Sequence, residues 1–212
     1  MNDLNLASSD IKLLEEQSPA SEAGLPVTPA PKTAETKTWL DELLETLLMA
    51  AALFFIINLF TGRYQVLSIS MEPTLHEGEY IIALKASYWF ADPQRGDVVV
   101  FLPPSENGTV PYIKRVIGLP GDVIEAKAGG IWVNGVALDE PYIAQPVTYE
   151  GSWVVPEQSY FVLGDNRNNS SDSHIWGTVP RRNIIGKAVF RYWPFTRLGS
   201  IKHYTYAIKA TE

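Results

Sequence analysis

Three polar segments of this chain carry side chains able to do covalent chemistry. The first, Ser68-Ile-Ser-Met-Glu-Pro-Thr-Leu75, sets two hydroxyls two positions apart, shortly after a long apolar run. A serine hydroxyl is a weak nucleophile, and it attacks a carbonyl only with a base in hydrogen-bond reach and donors placed for the oxyanion that forms. Pro73 biases Glu72 toward extended backbone and stiffens the chain just after the serines. The stretch therefore reads either as a fixed nucleophile turn or as an ordinary Ser-rich turn. The second segment is Tyr112-Ile-Lys-Arg-Val-Ile-Gly-Leu-Pro-Gly-Asp122. On a strand, alternation puts Tyr112, Lys114 and Val116 on one face and Ile113, Arg115 and Ile117 on the other. A lysine taken out of water among apolar groups has its charged form disfavoured and becomes a neutral amine base near physiological pH. The competing fate is a lysine that snorkels to solvent at a sheet edge. The third segment, Gly164-Asp-Asn-Arg-Asn-Asn-Ser-Ser-Asp-Ser-His-Ile-Trp-Gly177, supplies Asp165, Arg167, Asp172 and His174 for ion pairs. Its Asn and Ser side chains can bond to backbone and make a loop rigid enough to orient other groups.

Several chemistries are excluded. The chain has no cysteine, which removes thiol nucleophiles, Cys-based zinc sites, iron–sulfur clusters and disulfides together. The three histidines, at 76, 174 and 203, lack the i, i+4 pairing of a zinc helix, and the third segment lacks the Asp/Asn/Asp spacing of a calcium loop. No metal and no cofactor are expected. The net charge is −7, but residues 1–45 hold nine acids and three bases, so the remainder is almost neutral. That balance gives no support to a nucleic-acid partner.

These segments need elements to position them. The 212 residues suit one ordinary domain with appendages, and 15 Gly with 15 Pro predict many turns. Residues 1–37 are rich in Ser, Ala, Pro, Thr, Glu and Lys and are expected to be disordered. The apolar run 47–60, interrupted only by Asn58, is apolar on every face from Ala50 to Ile57. With flanking residues it makes a membrane anchor over 38–62, because ~30 Å of hydrocarbon takes about 20 residues at about 1.5 Å each. An amphipathic or buried core helix is the alternative. Lys32 and Lys37 before the run and Arg63 after it give only a weak orientation signal. From 63 to 212 short apolar runs alternate with Gly, Pro, Asn and Asp. Strands are predicted at Tyr80–Leu84, Val98–Phe101, Tyr112–Ile117, Val123–Ala126, Ile131–Val133, Val136–Leu138, Tyr160–Leu163 and Ala188–Trp193. Asn134-Gly135 is the pair that a two-residue type I′ hairpin prefers. The expected fold class is mostly β: an antiparallel β-sheet catalytic domain, as sheets or a barrel, following a single N-terminal transmembrane helix.

Taken in order, these segments together with Arg95-Gly-Asp-Val-Val-Val-Phe101 resemble the type I signal peptidases, membrane-anchored serine proteases that remove export signals. The likeness covers residues 40–195 or so. It implies a Ser/Lys dyad, with Ser70 at the nucleophile's position and Lys114 at the general base's. Ser68 falls where some members complete an oxyanion hole whose other donor is the N–H of Ser70. Ser170 falls where a hydroxyl orients the lysine, and Asp165, Arg167 and Asp172 fall at salt-bridge positions holding the last loop against the site. Ile69 stands where many members have Gly, Leu67 where many have Pro, and His174 where bacterial enzymes commonly have Arg. The run Ser173-His-Ile-Trp-Gly177 is similar to the cyanobacterial and plastid branch. The implied action is cleavage of exported preproteins after small residues (Ala-x-Ala) through an ester to Ser70. The implied location is a plasma or thylakoid membrane, single-pass, with the catalytic domain on the periplasmic or lumenal side. Preprotein signal peptides and the lipid bilayer are the implied partners, with the translocation machinery as a further candidate. Three rival readings stand beside this one: a Ser70–His174–Asp172 triad, a repressor-type Ser/Lys autoprotease, and a catalytically silent anchored β-module.

Overall fold

The computed structural model describes residues 37–104 and 109–206. The chain divides into two compact units, residues 1–42 and 43–212. Apart from Lys37, the stretch expected to be disordered lies outside the described residues.

The apolar run forms helix α1, Trp39–Phe60, whose 22 residues span about 33 Å at ~1.5 Å each. Thr38 begins it: the Thr38 N–H donates to the Asp41 carboxylate at 2.9 Å, and Asp41 N–H returns a bond to Thr38 Oγ1 at 3.3 Å. This reciprocal pair satisfies two helix-end donors. Asn58, the one polar interruption of the apolar run, donates to the Phe54 carbonyl one turn back at 2.7 Å, and its Oδ1 accepts from Arg63 Nη2 at 3.3 Å. None of the helix is buried, and it is long and apolar enough to cross a membrane.

Twelve strands follow among the described residues. They are β1 Thr61–Gln65, β2 Tyr80–Leu84, β3 Val98–Phe101, β4 Tyr112–Gly118, β5 Val123–Lys127, β6 Gly130–Val133, β7 Val136–Ala137, β8 Gly151–Val154, β9 Ser159–Leu163, β10 Val179–Pro180, β11 Ile184–Trp193 and β12 Gly199–Ser200. They make two antiparallel sheets, one in the order β1-β2-β11-β3-β4-β9-β10 with β12 on β11, the other β7-β6-β5-β8. The mostly antiparallel β fold behind one N-terminal apolar helix is as the sequence predicts. A single-turn helix α2, Ser173–Trp176, lies between β9 and β10.

β3 reads as a continuous apolar run because both of its faces are covered. Val98 and Val100 pack with Ile81, Ala83 and Ala188 on one side, while Val99 and Phe101 pack with Val116 and Val162 on the other. A third cluster packs Ile124, Ile131 and Val133 of the smaller sheet against Ile117 of β4 and Phe161 and Leu163 of β9. The Asn134-Gly135 turn joins β6 to β7 with positive φ at both residues, 50° and 78°, as a type I′ turn requires. Four strands escaped the sequence reading. β1 has one large apolar residue, β8 alternates half-buried with exposed positions, and β10 and β12 are two residues each, too short to show a period. β11 begins at Ile184 rather than Ala188, and β7 stops at Ala137.

Candidate active site

Ser70 sits in a 3-10 turn, Ile69–Met71, between β1 and β2. Ser68 enters it with extended backbone, φ −151° and ψ 162°, and Glu72 N–H closes it on the Ile69 carbonyl at 3.1 Å. Met71 and Leu75, both fully buried, pin the turn into the core between β2 and β3. The polar loop after β9 grips it from outside. Asn166 N–H donates to the Ser70 carbonyl at 3.0 Å, and Asn166 Nδ2 donates to the Ile69 carbonyl at 3.2 Å. Gly164 makes that approach possible, since a Cβ there would lie 2.4 Å from the Ser70 carbonyl oxygen and 2.3 Å from Ser170 Oγ.

Lys114 lies on β4 opposite Val99, on the face predicted by alternation, with its ammonium 5.8 Å from the Tyr112 ring centre. It is 4% exposed and donates through Nζ to Ser70 Oγ. Burial pulls its pKa down to about 8, against the opposing pull of Asp172 and Asp165. Ser68 Oγ stands 3.1 Å from Ser70 Oγ. A cleft of about 340 Å³ opens over these groups, lined by residues 65–71 and 110–114 with Asn169 and Ser171.

The predicted salt-bridge residues have definite partners. Asp165 takes a two-pronged pair from Arg115, the residue after Lys114, at 2.9 and 2.7 Å, with both side chains fully buried. Asp165 also accepts the Thr74 hydroxyl at 2.5 Å, so one carboxylate ties β4, the Ser70 segment and the polar loop together. Arg167 pairs with Glu140 at 2.5 Å, both buried. Asp172, fully buried, caps α2 and accepts from Gly164 N–H at 2.9 Å, and one of its oxygens lies 2.6 Å from His174 Nδ1. The His174 ring in turn stacks on Tyr149 at 4.0 Å. Sequence reasoning missed Arg115, Glu140 and Thr74 as partners. A charged residue inside an apolar strand signals that a partner exists, but only the fold identifies it.

One expected contact is not formed, and one rival reading is not assembled. Ser170 is buried at the site, but its hydroxyl makes no hydrogen bond, so the expected contact to Lys114 is not formed. Its Oγ is packed over Gly164, while the lysine ammonium is directed at Ser70. In the rival triad, Asp172 does meet His174, but Ser70 Oγ bonds to Lys114 and Ser68 and not to His174.

A family model described as signal peptidase, peptidase S26, matches residues 39–193. A probable signal peptidase I-2 of Synechocystis sp. is 48% identical over 168 residues, covering 76% of this chain and 77% of that protein. Signal peptidase I of Leptolyngbya laminosa is 44% identical over 186 residues, covering 83% and 91%. Thylakoidal processing peptidase 1, chloroplastic, of Arabidopsis thaliana is 39% identical over 153 residues, covering 66% of this chain and 44% of that protein.

Proposed function

We propose, from the premise that this chain belongs to the signal peptidase family, peptidase S26, and so cleaves signal peptides from preproteins as a serine endopeptidase, that Ser70 and Lys114 are its catalytic dyad. The observation that carries this reading is the buried hydrogen bond between Lys114 Nζ and Ser70 Oγ. With a pKa near 8, a substantial fraction of the amine is neutral at mildly alkaline pH and free to accept a proton.

The steps follow from that pair. Neutral Lys114 takes the proton of Ser70 as Oγ attacks the carbonyl carbon before the scissile bond. The oxyanion is held by Ser70 N–H and Ser68 Oγ, the latter supported by its 3.1 Å separation from Ser70 Oγ. The protonated lysine gives its proton to the departing amine, and the acyl group stays on Ser70 as an ester. Lys114 then draws a proton from the water that attacks the ester, and returns it to Ser70 Oγ as the acyl–oxygen bond breaks and the product's new carboxyl end is released. Asp165, Arg167 and Asp172 hold the polar loop against the nucleophile turn, and Ser170 fills the space that Gly164 leaves.

The cleft takes the signal peptide's last residues, and its exposed aliphatic rim of Leu67, Ile69 and Val110 suits small apolar side chains such as alanine. Residues 38–62 anchor the chain in a plasma or thylakoid membrane as a single pass, and residues 63–212 form the peptidase on the periplasmic or lumenal side. The bilayer and the translocation machinery are its further partners. Processing of an Ala-x-Ala preprotein by wild type, Ser70→Ala, Lys114→Ala and Ser68→Ala tests the reading. Both dyad variants should be inactive while still folded, and Ser68→Ala should be slowed about 100-fold. Full activity of Lys114→Ala would overturn the dyad, and wild-type cutting by Ser68→Ala would remove that hydroxyl from the oxyanion site.

A further inference from the structure

Residues 201–206 cross the body as a strap, beyond the stretch that the family model matches. Ile201 anchors one end, buried in the core beside β2 and β3, with its N–H on the Val189 carbonyl at 3.0 Å. The strap then passes over Gly96 so closely that a Cβ at that residue would meet the Tyr204 carbonyl oxygen at 1.8 Å. His203 Nδ1 accepts the Val98 N–H at 3.2 Å. At the far end the Tyr206 hydroxyl donates to the Asp139 carbonyl at 2.9 Å.

The strap covers one group in particular, the Arg115 guanidinium. The Lys202 carbonyl accepts from Arg115 Nη1 at 3.1 Å, beside the Gly96 carbonyl at 2.9 Å. The Tyr204 ring centre lies 5.2 Å from the guanidinium carbon and the Tyr142 ring centre 4.1 Å from it, the two rings themselves 4.8 Å apart. Carbonyls therefore take the edge of the cation that Asp165 leaves, and two aromatic rings close over its face. Aromatic faces attract a guanidinium, and more strongly where water is excluded.

We infer that Tyr204 is a positioning residue for catalysis, roofing the Arg115–Asp165 pair so that the base strand and the nucleophile turn are held in one fixed relation. Arg115 directly follows Lys114 on β4, while Asp165 bonds Thr74 and precedes Asn166, whose N–H and amide hold the carbonyls of Ser70 and Ile69. Loosening the roof lets water reach the pair and relaxes both sides of the dyad at once. It also leaves the Asp165 charge less neutralised in a site where Asp165 and Asp172 are the carboxylates that act on Lys114. Water and unmatched negative charge both favour the protonated amine. His203, held down to about 4 chiefly by burial, stays neutral over the pH range that matters.

This inference rests on the dyad reading, and inactivity of Ser70→Ala and Lys114→Ala in the same assay establishes that reading separately. The test is full-chain preprotein cleavage by Tyr204→Phe, Tyr204→Leu and Tyr204→Ala across pH 6–10 or so, with thermal melts of each. Tyr204→Phe keeps the ring and should cut like wild type. Tyr204→Leu, which keeps apolar bulk, and Tyr204→Ala should lose about tenfold or more in kcat with KM little changed. The acid limb of their pH–rate profile should move above the wild-type position near pH 8. Wild-type kcat and an unmoved limb in a folded Tyr204→Leu would overturn the inference. So would a loss that follows the folded fraction alone, with the limb unmoved.

Discussion

A primary ammonium is costly to bury, and Lys114 is 4% exposed, with no carboxylate bonded to it among the described residues. The two distant carboxylates only partly offset that cost, which is why its pKa falls from 10.5 to about 8. The consequence for stability has a definite sign. Below pH 8 both folded and unfolded chains hold the proton, and the fold bears the whole penalty. Between about 8 and 10.5 the folded chain has released the proton and the unfolded chain has not, so stability rises with pH until the penalty is gone. Lys114→Met, which fills the same space without charge, should therefore be inactive yet more stable than wild type at pH 7. The gain is on the order of 3 kcal/mol at most. Urea unfolding at a series of pH values checks this, and a gap that stays constant from pH 7 to 11 would contradict it. At this scale the sequence was legible where chemistry is local. The lysine's face followed from strand alternation. The missing bond of Ser170 did not, because it depends on how closely Gly164 meets the Ser70 turn.

Elements with strong periods or turn chemistry were readable, and those defined by their neighbours were not. β3 was placed residue for residue because burial on both faces writes an unbroken apolar run, and β4 almost so from its β-branched and aromatic residues, with Lys114 and Arg115 set among them. β1 is mostly polar and is a strand because β2 lies beside it, in register from Thr61↔Leu84 to Gln65↔Tyr80. The polar loop after β9 was recognisable as a rigid loop, yet its attachment to β4 through Arg115 was not, because the partners are fifty positions apart. That attachment makes a prediction for the element. Arg115→Met leaves Asp165 as an uncompensated charge in a fully buried position and should destabilise the fold by about 3–5 kcal/mol. Adding Asp165→Asn removes the stranded charge, so the double variant should be more stable than Arg115→Met alone. Denaturant midpoints of the single and double variants give the comparison. A double variant weakened by the sum of the two single effects would show that the pair does not act as a unit.

For the whole molecule, the question is what a helix of 22 residues with no buried face adds to a domain that already holds the reacting groups. None of its residues lines the cleft over Ser70. If it anchors the chain as proposed, its effect is on encounter: a signal peptide is itself an apolar segment, and confining enzyme and substrate to one sheet of lipid turns a search through volume into a search through area. The gain is one of effective concentration and needs no new contact between the two chains. Rate should then follow surface density. With enzyme and preprotein both in vesicles at fixed total amounts, adding empty lipid that mixes with the loaded bilayer should slow cleavage in proportion to the added area. Diluting the suspension with buffer should leave the rate constant unchanged. A water-soluble peptide carrying the same cleavage site should show the opposite dependence, slowing with volume and indifferent to lipid. If the embedded preprotein behaves like the soluble peptide, α1 is not the source of the encounter advantage.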